Sequence, residues 1–147
     1  MPEVGLPWPQ TDINYLAVLV AGIVGMVIGA LWYSPVLFGS VWMRAMGKTK
    51  ESMQAEMQGK SMGKLYVIAF VAQLITAWIL AKFIYYTGAA TMAEGFKIGF
   101  LLWLGFVATA TISAVLWEGK KWSLYWIFNS MQLVVLLVMA WILAVWN

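Results

Sequence analysis

Seven polar side chains stand inside otherwise apolar sequence: Gln73, Thr76, Thr109, Thr111, Ser113, Asn129 and Gln132. Wherever water is excluded, amides and hydroxyls need hydrogen-bond partners, because burying one unpartnered costs about 1–3 kcal/mol. Asn129 and Gln132 are three residues apart and therefore share a helical face. Together with Gln73 and Thr109 they are placed to form one interhelical hydrogen-bond cluster. Such a cluster acts either as glue between helices, worth about 0.6 kcal/mol per contact in a membrane, or as the lining of a hydrated cavity for a small polar solute.

Much other chemistry is excluded. The chain has no histidine and no cysteine, which removes thiolate and imidazole metal sites, cysteine nucleophiles, histidine general bases and histidine haem ligation. No carboxylate lies deep in an apolar stretch. Glu94 and Glu118 fall near stretch ends, with Glu118 beside Lys120 and Lys121, so coupled proton transport, which commonly keeps an intramembrane acid, is disfavoured. Methionines 43, 46, 53, 57 and 62 crowd one connection. Thioethers can bind Cu(I), but packing against lipid or a partner explains them equally well. No catalytic, cofactor-binding or metal-ligating residue is therefore assigned, and a non-enzymatic protein is expected.

The elements that must position the polar residues are four apolar stretches of about membrane-crossing length, near residues 14–33, 65–86, 92–117 and 123–146. A hydrocarbon core about 30 Å thick takes about 20 helical residues to span. With 63% hydrophobic and 10% charged residues, against about 25% charged in soluble domains, the chain reads as a single all-α membrane domain, a four-helix bundle over 1–147. The residues before the first stretch contain Pro2, Pro7, Pro9, Glu3, Asp12 and no Lys or Arg. That is unlike a signal peptide's basic start, so the first stretch is expected to be retained, with Trp8 at the interface and Thr11 or Asp12 capping the helix. No domain is expected after the fourth stretch. The basic residues Arg44, Lys48, Lys50, Lys60, Lys64, Lys120 and Lys121 lie in the first and third connections, against Lys82 and Lys97 flanking the second. Positive charge favours the cytoplasmic side. Both termini should then lie outside the cytoplasm, in a bacterial inner membrane. The net charge of +3 meets anionic lipid headgroups and gives no sign of nucleic-acid binding.

Small residues mark helix-packing faces. Ala17, Ala21, Gly25 and Gly29 recur every four residues in the first stretch, with Gly22 alongside, and Gly105, Thr109 and Ser113 do so in the third. Such faces let helices approach closely in lipid, either within the chain or between copies. Trp32-Tyr33-Ser34-Pro35 ends the first helix as an aromatic belt and stop, or forms a hinge, because Pro removes a backbone donor. The connection over 36–64 opens with an amphipathic pattern (Leu37, Phe38, Val41, Trp42, Ala45, Met46), which suits a short helix at the membrane surface, and continues with a polar helix near 49–58. Lys82 is expected to snorkel to the interface. Thr91-Met92-Ala93-Glu94 reads as a capping box starting the third helix. Most of the ten tryptophans fall near stretch ends; Trp103 does not.

The run Gly29-Ala30-Leu31-Trp32-Tyr33-Ser34-Pro35, with Asn14-Tyr15-Leu16-Ala17-Val18, Phe38-Gly39 and Trp42-Met43, resembles the small bacterial membrane proteins catalogued as domain of unknown function 1761. Gly99-Phe100, Gly105-Phe106-Val107-Ala108-Thr109 and Glu118-Gly119-Lys120 are similar to that family's second half. The resemblance implies a four-span bacterial membrane protein and carries no reaction, substrate or catalytic residue. From the residues themselves we expect a self-associating membrane protein that admits a small solute or ion. The alternative is an accessory or structural subunit of a larger membrane complex. In both cases the partners are membrane lipids and other membrane helices.

Overall fold

The computed structural model describes residues 12–146. Trp8, the three leader prolines and Thr11 lie outside the described residues. The element order is α1 (Tyr15–Trp32), α2 (Gly39–Ala45), α3 (Lys50–Met57), α4 (Met62–Thr87), α5 (Met92–Trp103), a π-helical turn (Leu104–Ala108), α6 (Thr109–Thr111), α7 (Ser113–Leu116) and α8 (Trp122–Val145). No strand occurs among the described residues. Among the described residues, four helical segments are long and apolar enough to cross a membrane: α1, α4, Met92–Leu116 and α8. The protein is a multi-pass, all-α membrane protein.

Capping chemistry sets the helix starts. Asn14, rather than Asp12, caps α1: its side chain accepts from the amides of Leu16 and Ala17 at 3.1 and 3.2 Å, because the first helical turn begins at Tyr15. Thr49 and Ser52 cap α3 reciprocally. At α5 the Thr91–Glu94 box is closed. Thr91 accepts from the Glu94 amide at 3.2 Å, and the Glu94 carboxylate accepts from the amides of Thr91 and Ala90 at 3.1 and 2.8 Å. Gly88 ends α4 with φ 69°, the left-handed conformation that glycine adopts without penalty.

The core lies where α1, α4 and α8 meet, with α5 packed on the outer flank of α8. Ala17, Ala21, Gly22 and Gly25 are buried within the chain. A Cβ added at Gly22 would come 2.7 Å from Leu74 Cδ2, and one at Gly25 would come 2.4 Å from Met139 Cε. Gly29, the last member of the α1 series, meets only Met131 Sδ at 3.8 Å. The α1 small-residue face is thus filled by α4 and α8 of the same chain. Asn14 Nδ2 donates to the Trp146 carbonyl at 3.3 Å, tying the start of α1 to the end of α8. Lys82 is buried, with its Nζ 4.9 Å from the Trp78 ring centroid.

The third span is the irregular one. Thr109 Oγ1 donates to the Gly105 carbonyl and Thr111 Oγ1 to the Val107 carbonyl, both at 2.8 Å, and Ser113 Oγ donates to the Ala110 carbonyl at 3.1 Å. Hydroxyls that bond back to the preceding turn bend helices, and three within five residues accompany the π-helical turn and the break at Ile112 between α6 and α7. The span is also the least covered. Of its most apolar window, 11% is buried inside the chain, against 50% for α8.

Candidate functional site

The turn after α1 is built to hold a second helix close. Ser34 Oγ donates to the Leu31 carbonyl at 2.7 Å, and the amides of Phe38 and Gly39 donate to the carbonyls of Trp32 and Ser34 at 3.0 and 2.9 Å. A Cβ at Gly39 would sit 2.5 Å from the Tyr33 carbonyl oxygen, so only glycine fits there. The aromatic rings then lock the corner. Trp32 lies 5.1 Å from Phe38, and Tyr33 meets Trp42 edge-on at 5.5 Å. Proline stops the helix, the glycine lets α2 fold back, and α2 becomes one wall of a cavity.

Two indoles grip α8 at neighbouring carbonyls. Trp32 Nε1 of α1 donates to the Ile127 carbonyl at 3.1 Å, and Trp103 Nε1 of α5 donates to the Asn129 carbonyl at 2.9 Å. Trp103 is therefore an interhelical fastener and not a lipid-facing ring alone. Below it the irregular half of the third span meets α8 through polar groups. The Tyr125 hydroxyl donates to the Ala108 carbonyl at 2.8 Å. Asn129 Nδ2 donates to Thr111 Oγ1 at 2.9 Å and to the Tyr125 carbonyl at 3.0 Å. Thr111 Oγ1 lies 3.2 Å from Asn129 Oδ1.

Between α2, the α6–α7 segment and the start of α8 is a cavity of about 560 Å³, a size that suits a small organic ligand. Trp42, Met46, Val115, Leu124 and Phe128 supply apolar wall; Tyr33, Tyr125, Thr111 and Asn129 supply polar groups; Lys120 and Lys121 also line it. The two lysines belong to the turn between α7 and α8, where Glu118 approaches Lys120 only to 3.8 Å with both side chains well exposed, a weak pair.

The seven polar residues singled out by sequence do not meet as one cluster. Thr111 and Asn129 pair at the cavity. Thr76, Thr109 and Ser113 satisfy themselves on carbonyls of their own helices. Gln132 is half-buried on α8 and takes no part in the pair. Gln73 lies in the opposite interface, against Gly25, where its Oε1 is buried without a hydrogen-bond partner among the described residues.

Several residues that matter here carry weak sequence signals. Tyr125 resembles any interfacial tyrosine until its hydroxyl is seen on a carbonyl freed by an irregular helix. Gly95 and Gly99 have the four-residue spacing of a close-packing face, matched by Ala140 and Ala144 on α8. A Cβ at either glycine would come within 2.7–2.8 Å of an α8 carbonyl oxygen, that of Ala140 or Leu136. Their spacing was the available signal; what hid it is that Gly95 precedes the most apolar part of the stretch.

A family model described as "Protein of unknown function (DUF1761)" matches residues 16–144, which includes every residue of the cavity named above. No curated protein and no solved structure matches the chain.

Proposed function

The chain belongs to the DUF1761 family, and on that premise we propose that it is a non-enzymatic protein of the bacterial inner membrane. In this reading both termini are non-cytoplasmic, the protein associates with copies of itself, and it admits a small solute into the cavity beside Asn129. The cavity carries the proposal. It lies next to the basic third connection, which the charge asymmetry assigns to the cytoplasm, and it combines apolar walls with a few fixed polar groups, as ligand sites do. Among the described residues no carboxylate lines it, which favours binding over hydrolytic chemistry. Toward the other side of the membrane α5 and α8 are in backbone contact at Gly95 and Gly99, so the site is a blind pocket, and passage would need that contact to open.

Self-association draws on a different observation. The α1 small face is occupied within the chain, whereas Gly105, Thr109 and Ser113 of the third span remain exposed, with open space around Gly105. A subunit role in a larger complex would use the same surface.

The absence of native cysteine makes a direct test simple. Ala114→Cys, in the cavity wall, should react with a membrane-impermeant thiol reagent from the cytoplasmic side only. Ala140→Cys, at a buried core position, should not react from either side. Labelling of the Ala114→Cys variant from the outside would overturn the orientation, and labelling from neither side would overturn the hydrated pocket. In parallel, the purified chain should run as one defined homo-oligomer; a monomer would favour the accessory-subunit reading.

A further inference from the structure

Asn129 is 1% exposed, and its hydrogen bonds do not balance. The Tyr125 carbonyl can only accept, so the nitrogen of the amide must be the atom facing it. Both amide hydrogens are then committed, one to Tyr125 and one to Thr111 Oγ1. Thr111 has a single hydroxyl proton and two acceptors within reach, the Val107 carbonyl at 2.8 Å and Asn129 Oδ1 at 3.2 Å. The shorter bond takes the larger share of the proton, so Asn129 Oδ1 keeps only a long 3.2 Å bond from Thr111 and has a second lone pair to spare, on a residue that lines the cavity.

The other end of the cavity has the opposite need. Lys120 and Lys121 present two cations, and Lys121 is the N-cap of α8 with no side-chain hydrogen bond to the helix amides. The spans α1, α4 and the third all begin with a side-chain cap. A helix start without a side-chain cap, beside two lysines, favours an anion. Asn129 is seven residues into α8, about 10 Å from the helix start at 1.5 Å per residue. Between these two ends the walls are Trp42, Met46, Val115, Leu124 and Phe128.

We propose that the cavity binds an amphipathic organic anion, with its acidic group at Lys120 and Lys121, its apolar body along the wall, and a hydroxyl or N–H about 10 Å away donating to Asn129 Oδ1. This assignment rests on the solute-pocket reading above and names the class of solute. The ligand meets the pocket from the interface, where a carboxylate or phosphate keeps its hydration while the chain is withdrawn from water.

The test uses the full chain in phosphatidylcholine nanodiscs, with empty nanodiscs as the blank. The probes are ω-hydroxydecanoate, decanoate and decanol, followed by calorimetry and by the side-chain amide resonance of Asn129. The hydroxy acid should bind about fivefold more tightly than decanoate, the effect of one hydrogen bond, and should shift the Asn129 resonance. Lys120→Gln with Lys121→Gln, on an exposed turn where folding is not at stake, should weaken both anions by about tenfold and leave decanol unchanged. Asn129→Ala should erase only the advantage of the hydroxyl. If decanol binds as well as decanoate, or the double lysine variant binds the anions normally, the anion assignment is wrong while the pocket reading survives. If no probe binds above the blank, both are wrong.

Discussion

The third span and α8 lie side by side, yet the two ends of their interface are built on opposite plans. At the end near Gly95 and Gly99 the backbones touch, because glycine on one helix faces Ala140, Ala144 and the Leu136 carbonyl on the other. At the end near Asn129 the helices stand apart across a cavity. Their contacts there are a phenol on a carbonyl, an indole on a carbonyl and an amide on a hydroxyl. Within lipid there is no hydrophobic drive between helices, so small residues allow close approach and polar groups bond where they meet. Placing the first kind at one end and the second at the other packs the pair closely at Gly95 and Gly99 and lets it border a cavity at Asn129.

The largest effect should come from breaking the closed end. Gly99→Leu forces side-chain atoms against the Leu136 carbonyl, a backbone group that cannot step aside, and should cost about 3 kcal/mol or more. Thermal unfolding in detergent, followed by circular dichroism, measures it. A wild-type transition would mean that the glycine contact is not what closes this end. Next comes the fastener between the ends: Trp103→Phe keeps an aromatic ring but loses the N–H donor to the Asn129 carbonyl and part of the ring volume, and should lower stability by about 2 kcal/mol in the same assay. Gly105→Leu is the control on the same helix. It points into open space, so unfolding should be unchanged, while the proposed self-association, followed by native mass spectrometry, should be lost. If it persists, association uses another face. The smallest effect is expected at Gly29→Ala. Its Cβ would meet Met131 Sδ at an ordinary 3.8 Å, and alanine favours the helix by about 0.8 kcal/mol over glycine, so a slight gain in stability is expected where Gly25→Leu should fail to fold.

Gly25 and Gly29 also show how far a pattern reaches. They share one spacing and one helix, so the sequence reads them alike. In the fold Gly25 is pressed by Met139 and Gln73, while Gly29 has room. Spacing reveals a face; the neighbours on that face belong to other helices. The same limit applies to the polar residues. Three-residue spacing put Asn129 and Gln132 on one side of α8, but only Asn129 found a partner across the interface. That partner was Thr111, reached because the third span is distorted. Capping signals fared better, since the Thr91–Glu94 box needs nothing beyond its own turn.

What the sequence determined alone is what depends on local chemistry and on solvent. Apolar length made four membrane-spanning helices, Ser34-Pro35 ended the first, the Thr91–Glu94 box set the start of the third, and the missing histidine and cysteine removed whole classes of chemistry. What only the tertiary structure decided is which polar groups meet. Gln73 went to the α1–α4–α8 core, Thr109 and Ser113 turned back on their own helix, and Asn129 came to rest beside Thr111 at a cavity roofed by α2. The physical reason is range. Helix formation and membrane insertion are settled by residues within a turn or by the surrounding lipid, whereas a hydrogen bond between helices depends on how far each is rotated and bent, and those are set by packing contacts distant in the chain.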